Sequence, residues 1–96
     1  MRVGKILAAE KVEKADKLLK LQVDLGYEKR TVVSGIAQYF KPEEIIGKKV
    51  SLVANLAPKK IKGIESHGMI LMAEDAEGKL AFVSPVGEVA EGSGIK

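Results

Sequence analysis

Leu19, Leu21, Val23 and Leu25 alternate with Lys20, Gln22 and Asp24. A helix would scatter these four apolar side chains around its circumference, whereas a strand sets all of them on one face, so the stretch predicts a half-buried strand. Gly26-Tyr27-Glu28-Lys29 makes a short connection to Arg30-Thr31-Val32-Val33-Ser34, which reads as its hairpin partner. Val50, Leu52, Ala54 and Leu56 form another alternating set, with Ser51, Val53 and Asn55 on the opposite face and an end at Pro58. Met69 to Ala73 and Leu80 to Val83 predict a last hairpin across the polar loop Glu74 to Lys79. Only Pro42-Glu43-Glu44-Ile45-Ile46 reads as helix. Proline suits the first turn there, the two glutamates sit where the positive end of the dipole favours them, and Gly47 is a stop. Gly35 to Phe40 is compatible with a second helical turn.

Five or so strands with one short helix between strands 3 and 4 predict an all-β chain, a five-stranded Greek-key barrel of the oligonucleotide/oligosaccharide-binding (OB) kind. An SH3-like barrel or an open meander would satisfy the same pattern. The 96 residues make one domain, 1–96, with no room for a second. Aromatics number only four, so Val, Ile, Leu, Ala and Met must build the core. Cysteine is absent, which removes disulfides and thiolate chemistry and fits a reducing compartment. No apolar run approaches bilayer length and no signal-peptide core opens the sequence, so the expectation is a cytoplasmic chain with no membrane partner. The stretch from Glu88 to Lys96 is looser, a tail or a docked edge.

A net charge of +3 conceals an asymmetry. Met1 to Lys62 carries fourteen Lys or Arg against seven Asp or Glu, while Gly63 to Lys96 carries two against six. Lys59, Lys60 and Lys62 put three of the cations within four residues, just after an apolar strand, and such a ridge suits a polyanion.

Chemistry finds little support. His67 is the single histidine, with only Glu65 near it in sequence, so neither a metal site nor a Ser-His-acid triad assembles. No glycine-rich nucleotide fingerprint is present, and Glu43-Glu44 reads as helix-start charge. No catalytic residue, metal or cofactor is expected. Nucleic-acid binding fits better, and by shape: Phe40 and Phe82 sit in apolar surroundings, which leaves at most Tyr27 and Tyr39 for base stacking. Lysines would reach phosphates, with Asn55 and Ser66 offered to 2′-hydroxyls or base edges. Each has a plainer use. Asn55 can close the turn before Pro58, Ser66 can bond backbone, and Met69 can belong to the core.

Several runs, in order, resemble the C-terminal tRNA-binding domain of bacterial methionyl-tRNA synthetases. They are Arg2 to Leu7, Lys14 to Leu19 leading to Val23-Asp24-Leu25-Gly26, Arg30 to Ala37, Tyr39 to Glu44 with Gly47-Lys48, and Asn55 to Lys60 with Gly63 and Ser66 to Leu71. The resemblance covers almost the whole chain. It implies an OB fold that homodimerises and binds the outside corner of tRNA without reading the anticodon, with catalysis left to a synthetase body in cis. The family's binding positions fall on Asn55, Lys59, Lys60, Ser66 and Met69; Lys62 is added here on charge. The family's usual lead-in segment is missing before Met1, which suggests an excised domain. Export-chaperone-like proteins share the domain type, so a peptide-binding homodimer is the alternative. Dimer contacts are expected from Leu80 to Lys96, whose apolar residues have no obvious core of their own to cover.

Overall fold

The structure is a computed structural model that describes all 96 residues, Met1–Lys96. The alternating stretches become strands: β2 is Ala15–Asp24, β3 is Lys29–Ser34 and β4 is Lys49–Val53. Leu19, Leu21, Val23 and Leu25 are fully buried, together with Val32, Val50 and Leu52. β1, Arg2–Val12, is the longest strand and pairs with both β2 and β4. Its alternation is broken by register shifts between Ile6 and Ala8 and between Lys11 and Val12, so Ala9 and not Ala8 returns to the core after Ile6 and no period-two signal survives. α1, Pro42–Ile45, is a single turn that buries Ile45, and the Glu44 carboxylate accepts the Lys41 backbone N–H at 2.9 Å. Gly35 to Phe40 holds a single turn, in which the Ile36 carbonyl accepts the Tyr39 N–H at 3.0 Å and the Phe40 N–H at 3.1 Å.

Five antiparallel strands make the main sheet, in the order β3-β2-β1-β4-β7, with β7 being Met69–Ile70. β5, Lys59–Ile61, with β6, Ile64–Ser66, and β8, Met72–Glu74, with β9, Leu80–Phe82, form two separate ribbons. The last hairpin is therefore present, with its first strand divided: Met69–Ile70 pairs β4, and Met72–Glu74 pairs β9. A closed barrel does not form. The ladder leaves β3 and β7 as its edges, and the gap near them is bridged by two bonds, His67 N–H to the Thr31 carbonyl at 2.8 Å and Val33 N–H to the Ser66 hydroxyl oxygen at 3.0 Å. The core joins Ile6, the β2 leucines, Ile36, Ile45 and Ile70, and Phe40 and Phe82 pack on it with ring centroids 4.9 Å apart. Each buried Leu or Ile contributes about 1.5–3 kcal/mol relative to exposure, so this sheet is a stiff support. No helix is long and apolar enough to cross a membrane.

One further expectation is corrected. β4 stops at Val53, not at Pro58: the Arg30 guanidinium donates to the Ala54 carbonyl at 2.5 Å, the chain turns at Asn55-Leu56, and Leu56 ends 46% exposed. The closing stretch takes the second of its two expected forms, a docked edge: residues 92–95 pair along β1 beyond the last β2 pair, Lys5 with Asp24, while Val86 and Val89 stay exposed. Gly92 N–H reaches the Val3 carbonyl at 2.7 Å, Val3 N–H reaches the Ser93 carbonyl at 2.9 Å, and Ile95 N–H reaches the Met1 carbonyl at 3.0 Å. Only glycine fits at 92: its φ is +89°, and a Cβ there would stand 2.1 Å from the Leu25 carbonyl oxygen.

Candidate nucleic-acid interface

The lysines of the cationic run sit on the β5–β6 hairpin. Lys59 pairs with Ser66, Lys60 with Glu65 and Ile61 with Ile64, which leaves Lys62-Gly63 as a two-residue turn. Both turn residues have positive φ, 51° and 80°, as the tight hairpin turn that matches strand twist requires. Glycine adopts that conformation freely, while Lys62 is held there by the pairing on either side.

Two side chains fasten this hairpin to the sheet. Ser66 is buried, and its hydroxyl both accepts the Val33 N–H and donates to the Gly68 carbonyl at 3.2 Å. Arg30 bonds the Ala54 carbonyl, the His67 carbonyl at 3.3 Å and the Glu28 carboxylate at 2.8 Å, so it clamps the loop after β4 against the end of β6. With every one of these groups satisfied, the base of the hairpin is anchored and its outer residues are free to meet a partner.

The six expected contact residues do not form one row. Lys59, Ser66 and Met69 line a groove of about 370 Å³ whose remaining walls are mostly apolar, among them Val33, Leu56 and Ile61. Lys60 lies on the opposite face of β5, and its cross-strand neighbour Glu65 instead approaches His67, 3.3 Å away. Lys62 is at the tip. Asn55 lines an adjacent groove with Lys29, Thr31 and Pro58. None of the three lysines has a carboxylate within ion-pair distance; the chain's pairs are Lys20–Glu10, Arg30–Glu28, Lys49–Glu91 and His67–Glu65. Met69 is 52% exposed, so it is a surface residue and not part of the core. Ser66 is the reverse, because its hydroxyl is already committed to the fold. Leu56, Ala57 and Ile61 were not anticipated as walls of the groove; the Lys-Gly pair between two isoleucines is the one signal that could have revealed the hairpin behind them.

The arrangement offers unpaired cations beside an apolar floor, with polar groups at its rim. It contains no group of three or more His, Cys, Asp or Glu able to hold a metal. Of the aromatics, Tyr27 and Tyr39 are exposed, and neither lines either groove. Such a surface can neutralise phosphates and accept one apolar or planar group, but it provides no platform for stacking several bases.

Comparison with known proteins agrees with that chemistry. The model of a family described as "Putative tRNA binding domain" matches residues 1–94. The methionine-tRNA ligase of Parabacteroides distasonis is 59% identical over 96 residues, which are 100% of this chain and 14% of that protein. This chain thus spans about a seventh of the length of that relative. Among solved structures, a MetRS related protein from Pyrococcus horikoshii superposes with a TM-score of 0.89 at 47% identity, covering 96% of this chain and 84% of that one. The chaperone CsaA from Bacillus anthracis superposes with a TM-score of 0.88 at 25% identity, covering 99% and 88%.

Proposed function

Because the chain belongs to the putative tRNA-binding domain family, we propose that it serves as the tRNA-binding module of a methionyl-tRNA synthetase. On this reading it grips folded tRNA and contributes no chemistry of its own, while a catalytic body in cis performs the ligation in the cytoplasm. The unpaired lysines of the β5–β6 hairpin beside the Met69 groove carry the proposal. Lys59, Lys60 and Lys62 hold phosphates, Asn55 bonds a 2′-hydroxyl or base edge at the rim, and Met69 presses on a sugar or base. Ser66 acts from beneath by holding β6 on β3. An OB-type topology, with the barrel left open between β3 and β7, is part of the same proposal: the helix between β3 and β4 and the bonds bridging the β3 edge support it. A homodimer joined through the exposed Val83, Val86 and Val89 would place two such grooves on one RNA and strengthen binding through effective concentration.

The test is a gel shift of tRNA across a salt series, using the chain and its Lys59→Ala/Lys60→Ala/Lys62→Ala variant. The slope of log affinity against log salt should fall by about 0.7–0.9 for each phosphate that the substitutions leave unneutralised. An unchanged slope would overturn the assignment. The apolar floor of the groove favours a second reading, a peptide-binding chaperone-like homodimer, in which Leu56 and Met69 take an apolar side chain. An apolar peptide that displaces tRNA from the groove at micromolar concentration, with Met69→Ala abolishing peptide binding only, would favour that reading.

A further inference from the structure

The β5–β6 tip does not stand alone at its end of the molecule. Lys62 lines a groove of about 490 Å³ together with Lys14 and Lys17, and a second groove of about 480 Å³ together with Lys11, Lys14 and Lys20. The tips of the β1–β2 and β5–β6 hairpins therefore flank the same two grooves. Lys14 and Lys62 are the two non-glycine residues with positive φ, 62° and 51°. Both hairpins thus carry a lysine at a turn position where asparagine or glycine would sit with less strain.

Acidic residues are present at this end, yet they do not neutralise it. Glu10 and Glu13 line one groove beside four lysines and Asp16 lines the other beside three; Lys20 pairs with Glu10 at 3.6 Å, whereas Lys11, Lys14 and Lys17 have no carboxylate within ion-pair distance, so lysines outnumber carboxylates in both. The grooves also adjoin. Leu56 lines both the Asn55 groove and the Lys59 groove, and Ile61 lines both the Lys59 groove and the one at Lys14. The three grooves are thus neighbours that share walls, from Asn55, past Met69, to the two hairpin tips.

We propose that Lys11, Lys14 and Lys17, together with Lys62, form a second phosphate-binding patch that holds the RNA backbone flanking the segment seated at Lys59 and Met69. This rests on the tRNA-binding reading and extends it to a hairpin outside the Asn55–Met69 segment. At about 3.3 Å per residue, Lys59 and Lys62 stand about 10 Å apart along the hairpin, room for more than one phosphate between groove and tip. A lipid surface is a poorer partner, because Val12, Leu18 and Ile64 are partly buried and Ala15 is buried, so no apolar side chain projects from the tips.

The test compares tRNA affinity over about 50–200 mM salt for three forms of the chain. These are wild type, the tip variant Lys11→Gln/Lys14→Asn/Lys17→Gln, and the groove variant Lys59→Gln/Lys60→Gln. Asparagine tolerates the left-handed turn, so the tip variant should melt with wild type. If two phosphates go unneutralised in it, its salt slope falls by about 1.4–1.8 and its deficit against wild type shrinks about tenfold across that range. Arginine at all three tip positions should restore the slope. A tip variant that binds like wild type while the groove variant weakens overturns the second patch and leaves the tRNA-binding reading standing. Wild-type protein that fails to bind tRNA, or binds it with no salt dependence, overturns both.

Discussion

Replacing Ser66 with alanine removes one oxygen and leaves two backbone groups without their partner. The Val33 N–H, on a residue that is 7% exposed, loses its acceptor, and the Gly68 carbonyl loses a donor. The Val33 amide points away from β2, so its own ladder cannot restore the bond. An orphaned buried amide costs about 1–3 kcal/mol, far more than the few tenths expected of an exposed serine. For a domain of this size, each kcal/mol lowers the melting temperature by about 4–8 °C. A calorimetric melt should therefore show Ser66→Ala lowered by several degrees or more, and hydrogen exchange should accelerate at Val33 and His67, the two amides that join β3 and the end of β6. Binding of tRNA would weaken as well, by loosening the hairpin that carries Lys59. An unchanged melt combined with a large drop in affinity would refute this reasoning and put the hydroxyl against the RNA.

Three other outcomes are expected. Met69→Ala should weaken tRNA binding while changing stability by less than about 1 kcal/mol, because the side chain is 52% exposed; a loss of about 2–5 kcal/mol in urea denaturation would return it to the core. Gly92→Ala should destabilise by at least about 1–3 kcal/mol, since it adds a Cβ against Leu25 and a left-handed strain, and a thermal melt matching wild type would show that the docked segment adjusts freely. The chain should sediment as a homodimer at micromolar concentration and Val86→Asp as a folded monomer whose melt no longer depends on protein concentration, because Val86 is 106% exposed within one chain; a wild-type monomer across that range would refute the interface.

Faces were legible in the sequence wherever apolar residues kept a period of two over a whole strand. Leu19 to Leu25 gave the burial of β2, and its short turn gave the pairing with β3. β1 escaped because its bulges shift the register after Ile6, and a pattern of period two has no memory across a shift. The β5–β6 hairpin escaped because each strand has only three residues and the lysines hide the isoleucine pair. Charge pointed to the hairpin as a candidate binding element. It could not show that Lys59 and Lys60 face opposite ways, that Glu65 turns to His67, or that Ser66 is claimed by an amide thirty-three positions earlier. Those are facts of long-range packing, and residue type alone does not encode them.

The docking of Gly92 to Ile95 beside Met1 and Val3 makes the chain almost a ring. Its two ends meet in the same short ladder, at nearly the greatest sequence separation that 96 residues allow. Closing so long a loop carries its entropic cost before the contact returns any stabilisation, so this ladder belongs to the last steps of folding. A contact made after the transition state slows unfolding without speeding folding. The terminal ladder therefore governs how long the folded molecule persists, while the speed of its formation is decided by β1, β2 and β3. A short peptide joining Lys96 back to Met1 would lengthen that persistence, and new ends opened between Asp75 and Lys79 would leave every strand of the ring intact.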